Sequence, residues 1–228
     1  MTFHVDENVV FLSAVEHKCW WNFIEVSMYD VKSMKEDIER AVEVVNQQVK
    51  NKFVDAFQAI YVDGNVPNKF PNEVKIEKHI ITSASALNEV LSGEGFYIIF
   101  TDAEIDGNNC LLTTVEGLKA IYRGECRTTK KRLQSHLFNR RYKEDYEHRK
   151  RNYLSKPENA NKGFYEPFWA ACLKVDENNG LNLDESNDNS QWMVIVHNMN
   201  GSSQKVRVLA ELAFDEVFGK PIASRERT

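Results

Sequence analysis

Nothing in this chain of 228 residues is apolar for long enough to cross a bilayer, since no run approaches the roughly eighteen residues that a membrane helix requires. The amino terminus, M-T-F-H-V-D-E-N, has neither the basic stretch nor the apolar segment of a secretory leader. Cysteine is scarce and scattered. The four, Cys19, Cys110, Cys126 and Cys172, form no C-x-x-C pair and have no matching histidine spacing, which argues against structural zinc and for reduced thiols. No internal repeat is visible. The expectation is an ordinary soluble, cytoplasmic protein, and a hydrophobic content of 42% is ample for one elaborated domain or two small ones.

A net positive charge is also lacking. The formal charge of −5 and pI near 5.8 argue, as totals, against nucleic-acid binding. The distribution points the other way. Between Arg123 and Lys156 the chain carries Arg127, Lys130, Lys131, Arg132, Arg140, Arg141, Lys143, Arg149, Lys150 and Arg151, opposed only by Glu125, Glu144, Asp145 and Glu147. Acidic residues gather elsewhere, from Asp176 to Asp188 and from Glu36 to Glu43. A basic segment on an acidic body is the footprint of phosphate contacts. A long exposed helix carrying solvated charge is the plainer reading. Tyr142, Tyr146 and Tyr153, interleaved with the basic residues, favour a nucleic-acid face.

Residues 9 to 30 are rich in Val, Phe, Trp and Tyr and suit a strand pair or a helix. Ser33-Met34-Lys35-Glu36 has the form of a capping box, and Ile38, Val42, Val45, Val49, Phe53 and Phe57 then repeat at helical spacing. Residues 65 to 72 read as a loop, and Ser85 to Leu91 as a short helix. Strands are predicted at 95–101, around 110–115, at 118–123, at 168–175 and at 192–197, with an acidic, polar insertion near 176–190. A final helix is predicted from Ser203 to Gly219.

The stretch most suggestive of chemistry is Y-R-G-E-C-R-T-T-K-K-R-L-Q-S-H, from Tyr122 to His136, preceded by G-F-Y at Gly95 to Tyr97. Gly124 permits a sharp exit from a strand, and Thr128 or Thr129 can cap the helix that follows. On that helix Arg132 and His136 lie at i and i+4 and share a face, with Leu133 and Leu137 forming the stripe that would seat it on a sheet. An arginine fork beside an imidazole, next to a tyrosine at a strand end, suits a phosphate. Each residue also has a duller reading: half-buried strand tyrosines, a solvated i, i+4 pair, an ordinary helix glutamate.

Together these residues resemble the signature of GIY-YIG nucleases, over roughly Gly95 to Arg227. The resemblance implies an α+β fold with a small, mainly antiparallel three-stranded sheet flanked by helices, formed by residues 95–228. Residues 1–94 would be a mostly helical extension for DNA contacts or dimerisation. Matched by position, Tyr97 and Tyr122 are the two tyrosines, Arg132 and His136 the helix pair, and Glu211 the metal ligand, with Glu216 as its competitor. Phe96 and Arg123 replace isoleucines, and Ser224 stands where the family has Asn. The wide separation of the tripeptides is closer to the restriction-endonuclease branches than to compact homing or repair modules.

The implied activity is metal-dependent cleavage of double-stranded DNA, with Mg²⁺ or Mn²⁺ on Glu211. Arg132 would neutralise the transition state, and Tyr97 would orient or deprotonate water with His136 and Tyr122 positioning it. The basic residues from Arg123 to Arg151 would meet DNA, His148 and His197 would stay outside the chemistry, and a palindromic target would favour a homodimer. The alternative is a catalytically silent nucleic-acid-binding or interaction module that keeps the fold.

Overall fold

The structure, a computed structural model, describes residues 7–72, 75–164, 173, 181–185 and 189–224, with side chains described from residue 31 onward. Two compact units divide the chain, residues 1–48 and 49–228. Helix α1, Glu7–Ile60, settles residues 9 to 30 as helical. Ser33 therefore lies inside a helix instead of starting one. Helical turns precede it, so no orphan amides are left for a capping box to satisfy.

In the second unit the architecture is α+β, around an open, four-stranded antiparallel sheet in the order β1-β4-β2-β3. Its strands are β1 Ile76–Ile80, β2 Gly95–Thr101, β3 Lys119–Cys126 and β4 Trp192–Asn198. Three of them match runs that the sequence predicts; β1 is an addition from the stretch before Gly95. Its sequence, I-E-K-H-I, hides the strand because charged residues break a run of only five, and as a partly buried edge strand it needs little apolar surface. The run near 110–115 is not a strand. There Thr113 makes only isolated bridges, to Asn65 and to Lys119. The strand predicted at 168–175 lies outside the described residues, apart from Leu173.

Alternation along β2 divides the core into two layers, because successive side chains point to opposite faces. Phe96, Ile98 and Phe100 pack with Phe57 of α1 and with Ala210, Ala213 and Phe214 of α4, Gln204–Phe218. Tyr97 and Ile99 take the other face, with Leu133 and Leu137 of α2, Thr129–Leu137. Helix α4 begins as expected, with the Ser203 hydroxyl accepting a hydrogen bond from the Val206 amide at 3.3 Å, and Gly219 at φ 77° ends it.

The basic segment is two helices, α2 and α3, Asn139–Leu154, broken at Phe138. The break has a physical cause. Phe138 is buried in the α2 layer, and the passing strand-like segment hydrogen-bonds across the junction, Asn139 N–H to the Leu181 carbonyl at 3.0 Å and Leu183 N–H to the Leu137 carbonyl at 2.9 Å. Among the described residues no helix is long and apolar enough to cross a membrane.

His197 supplies a pH signature. It packs, partly buried, against Phe57, Phe96 and Tyr61, shares a 2.7 Å hydrogen bond with the Tyr61 hydroxyl, and burial pulls its pKa down to about 3. The folded protein refuses a proton that the unfolded chain accepts below about pH 6.5. Stability should therefore fall as pH drops from about 6.5 towards 3, by about 2 kcal/mol between pH 7 and pH 5. Urea unfolding at the two pH values checks this. In His197→Gln, which keeps a hydrogen-bonding side chain but does not titrate, that share of the pH dependence should vanish.

Candidate active site

Four of the five residues matched to the catalytic signature meet in one cluster. Tyr97 comes from central strand β2, Tyr122 from edge strand β3, and Arg132 and His136 from α2. Tyr97 is paired in register with Gly124 and Ile99 with Tyr122, while Phe100 pairs with Ala120, so Ile121 is an extra residue on β3. Tyr122 and Tyr97 consequently share a face of the sheet, their rings stacked at 6.0 Å and 22°. The His136 ring lies 4.5 Å from that of Tyr122, and its Nε2 is 3.0 Å from the Tyr97 hydroxyl. Arg132, one turn earlier on α2, lies close enough to the Tyr97 hydroxyl to favour its ionised form.

The two motif glycines are explained by this packing. A Cβ on Gly124 would stand 2.6 Å from the Tyr97 hydroxyl oxygen and 2.9 Å from Tyr122 Cε1, so only glycine lets the phenol cross β3 at that point. A Cβ on Gly95 would stand 2.8 Å from the His197 carbonyl and 2.9 Å from Thr129 Cγ2, so this glycine admits the start of α2 against the sheet. Gly124→Ala should cost about 1–3 kcal/mol of stability through overpacking. It should also displace the Tyr97 hydroxyl from His136. Denaturant unfolding reads the first effect, and loss of the hydrogen bond in the variant's structure reads the second.

Electrostatics assign the phenol a state. Burial pushes the Tyr97 pKa well above the ordinary tyrosine value, and Tyr122 adds to the rise; the nearby Arg132 pulls the other way and does not prevail. Tyr97 is thus a neutral phenol at physiological pH. The tyrosinate base that the sequence leaves open is disfavoured, and a hydrogen-bonding role towards His136 remains. Arg132 keeps its charge, since burial does not bring its pKa below the usual arginine value.

Glu211 sits elsewhere. It projects from α4, which covers the opposite face of the sheet, and its carboxylate lies 3.5 Å from the Arg123 guanidinium of β3. Asp215, one turn further along α4, holds the same guanidinium by two hydrogen bonds, 3.0 Å to Nε and 2.5 Å to Nη2. The two groups of residues adjoin across the dipeptide Tyr122-Arg123. Ser224 completes this edge, its hydroxyl accepting a hydrogen bond from the Arg123 amide at 2.9 Å. Glu216 lies apart, half-exposed and paired with Lys50 at 2.8 Å.

No cluster of three or more His, Cys, Asp or Glu among the described residues could hold a metal, so the expected ligand Glu211 belongs to no such group. One carboxylate completed by water and phosphate suits Mg²⁺. Glu211 is 3% exposed and paired with Arg123, so it could meet a hydrated cation only after parting from that partner.

The residues expected to face DNA divide. Arg123 is 6% exposed and internally paired, which removes it from the surface set. Arg127, Lys131, Arg140, Arg141, Lys143 and Arg151 are exposed, whereas Lys130, Arg149 and Lys150 are half-buried. Arg140 is shared with Glu144 and Glu185, and Arg141 approaches Asp184 at 3.9 Å. Tyr142 and Tyr146 are buried, so they form the packing side of α3 and offer no faces for base stacking. The Arg149 guanidinium lies over Tyr142 and the Lys150 ammonium over Tyr146, each 5.8 Å from the ring centre.

Sequence reasoning missed Asp215, although its i, i+4 spacing from Glu211 on a predicted helix was a usable signal. It also missed the buried pair of Arg207 with Glu125, at 2.9 Å, which anchors the start of α4 to β3. Cys110 and Cys126 are buried free thiols, both with pKa values raised by burial, and neither has the character of a nucleophile. No protein-family model, curated protein or solved structure matches the chain.

Proposed function

We propose that the chain is a metal-dependent endonuclease of the GIY-YIG type, acting on double-stranded DNA in a restriction or defence role. The observation that carries this reading is the meeting of Tyr97, Tyr122, Arg132 and His136, drawn from three elements in the order of the signature. Phosphodiester hydrolysis needs an in-line nucleophile, compensation of charge on the phosphate and help for the leaving oxygen. Arg132 presents a charged fork for the phosphate oxygens. The neutral Tyr97 phenol fixes the imidazole, and His136 is the group placed to receive the proton of the attacking water. Tyr122, at the edge strand, directs its hydroxyl to the phosphate.

Glu211, once released from Arg123, would hold a divalent cation, Mg²⁺ or Mn²⁺, and the cation would supply Lewis-acid stabilisation of charge on the phosphate. In that event Arg123 would keep its two hydrogen bonds to Asp215. The exposed basic residues of α2 and α3 hold the backbone and set the salt dependence of binding.

Two observations favour a second reading, that of a silent binding module: Glu211 is already balanced by Arg123, and the Ser224 hydroxyl is engaged by the Arg123 amide. Incubation of purified protein with supercoiled plasmid and Mg²⁺, with and without EDTA, separates the two. The nuclease reading predicts nicked or linear DNA only without chelator. Supercoiled DNA that persists across metals, salts and several substrates, with binding retained, supports the silent module.

A further inference from the structure

The first compact unit, residues 1–48, leaves an apolar seam on α1 uncovered. Val31, Met34, Ile38, Ala41 and Val45 follow the alternating three- and four-residue spacing of a heptad seam, and the four larger ones are 54–60% exposed. Positions on the outward side of the same turns, among them Lys32, Glu36, Glu39 and Glu43, are all polar. We propose that this seam pairs with the same seam of a second copy of this chain, as a parallel, in-register two-stranded coiled coil.

Three observations select that occupant. A stripe two side chains wide per heptad is matched by another helix of the same pattern, and a parallel pair places each residue against itself, as a two-fold axis requires. The alternate positions Val31, Ile38 and Val45 are β-branched, the choice that favours two parallel strands at the seam's first heptad position. Charges bordering the seam are satisfied on their own helix, Lys35 with Glu39 at 3.7 Å and Arg40 with Asp37, so the pairing strands no ion. The seam residues with the adjoining Val42 and Val44 would remove roughly 500 Å² per copy, and about 1,000 Å² in total is the lower bound for a specific interface. The stretch described here reaches that bound, and α1 extends a further six turns or so towards Glu7.

Sedimentation equilibrium of the full chain tests this independently of any nuclease activity. The wild type should weigh as a dimer that dissociates on dilution. Ile38→Glu and Ile38→Lys, each setting like charges against each other, should raise the dissociation constant at least ~100-fold. Mixing the two variants should restore the dimer, because residue 38 faces residue 38 in a parallel, in-register pair. The outward-face variant Glu36→Lys should remain dimeric, and thermal unfolding of all variants confirms that the second unit is intact. A wild type that is monomeric at every concentration, or an Ile38→Glu protein that stays dimeric, overturns the interface. A mixture that fails to re-form the dimer overturns its parallel register.

Discussion

Arg132→Ala is expected to lower single-turnover plasmid cleavage by at least ~10³-fold, the scale on which an arginine that neutralises a phosphoryl transition state contributes. The side chain touches Tyr97 and shares the Tyr97–Tyr122 environment, so its loss removes a phosphate contact and loosens the phenol together. DNA binding should weaken, and the slope of affinity against salt should become shallower by about one phosphate contact. Arg132→Lys should recover only part of the rate, because an ammonium cannot present a planar fork. Quench-flow cleavage at saturating DNA, with binding isotherms at two salt concentrations, measures both. An Arg132→Ala protein that cleaves at the wild-type rate would remove this residue from the chemistry.

Glu211→Gln should fail differently. The substitution removes the carboxylate assigned to the cation while leaving Arg123 in the grip of Asp215. Cleavage should be lost with Mg²⁺ and with Mn²⁺, yet DNA binding should be retained or tightened, because one negative charge has gone from the vicinity of the phosphates. Asp215→Asn is the informative contrast. Arg123 then loses its bidentate carboxylate and keeps Glu211, at 3.5 Å, as its remaining counter-charge, so stability should suffer first. Glu216→Gln, at a half-exposed residue paired with Lys50, should change neither activity nor fold appreciably. If Glu216→Gln abolishes cleavage and Glu211→Gln does not, the metal ligand has been placed a turn too early on α4.

The parts of the site legible from sequence are those governed by local period. Arg132 and His136 share a helix face because four residues make about one turn, and α4 announces itself by a serine cap and a terminal glycine. Central strands β2 and β4 are long apolar runs and stand out. What stayed hidden depends on partners distant in sequence. Strand β1 exists because β4 offers it a hydrogen-bonding edge, which five residues with three polar side chains do not advertise. The break at Phe138 requires the segment around Leu181 to dock there.

Arg123 shows the same limit most clearly. In sequence it is one more member of a basic run, and it becomes an internal cation only when α4 brings Asp215 and Glu211 to β3. The tyrosines of α3 mislead for a related reason. Tyr142 and Tyr146 repeat at helical spacing, and that spacing served a buried face. Conversely, Gly124 looks in sequence like the exit from a strand, while the contacts of Gly95 and Gly124 show them to be clearances for Thr129 and for the Tyr97 ring.

The central claim is that the cluster of Tyr97, Tyr122, Arg132 and His136 cuts DNA. The measurement that tests it most directly is Mg²⁺-dependent cleavage of one plasmid by the wild type and by Tyr97→Phe, Tyr122→Phe, Arg132→Ala and His136→Ala, each confirmed folded and normalised for DNA bound. The account predicts EDTA-sensitive cleavage by the wild type and a rate at least ~10²-fold lower in Arg132→Ala and His136→Ala, with smaller losses in the two phenylalanine variants. A wild type that binds DNA but never cleaves it, or cleavage that all four substitutions leave unchanged, would contradict it.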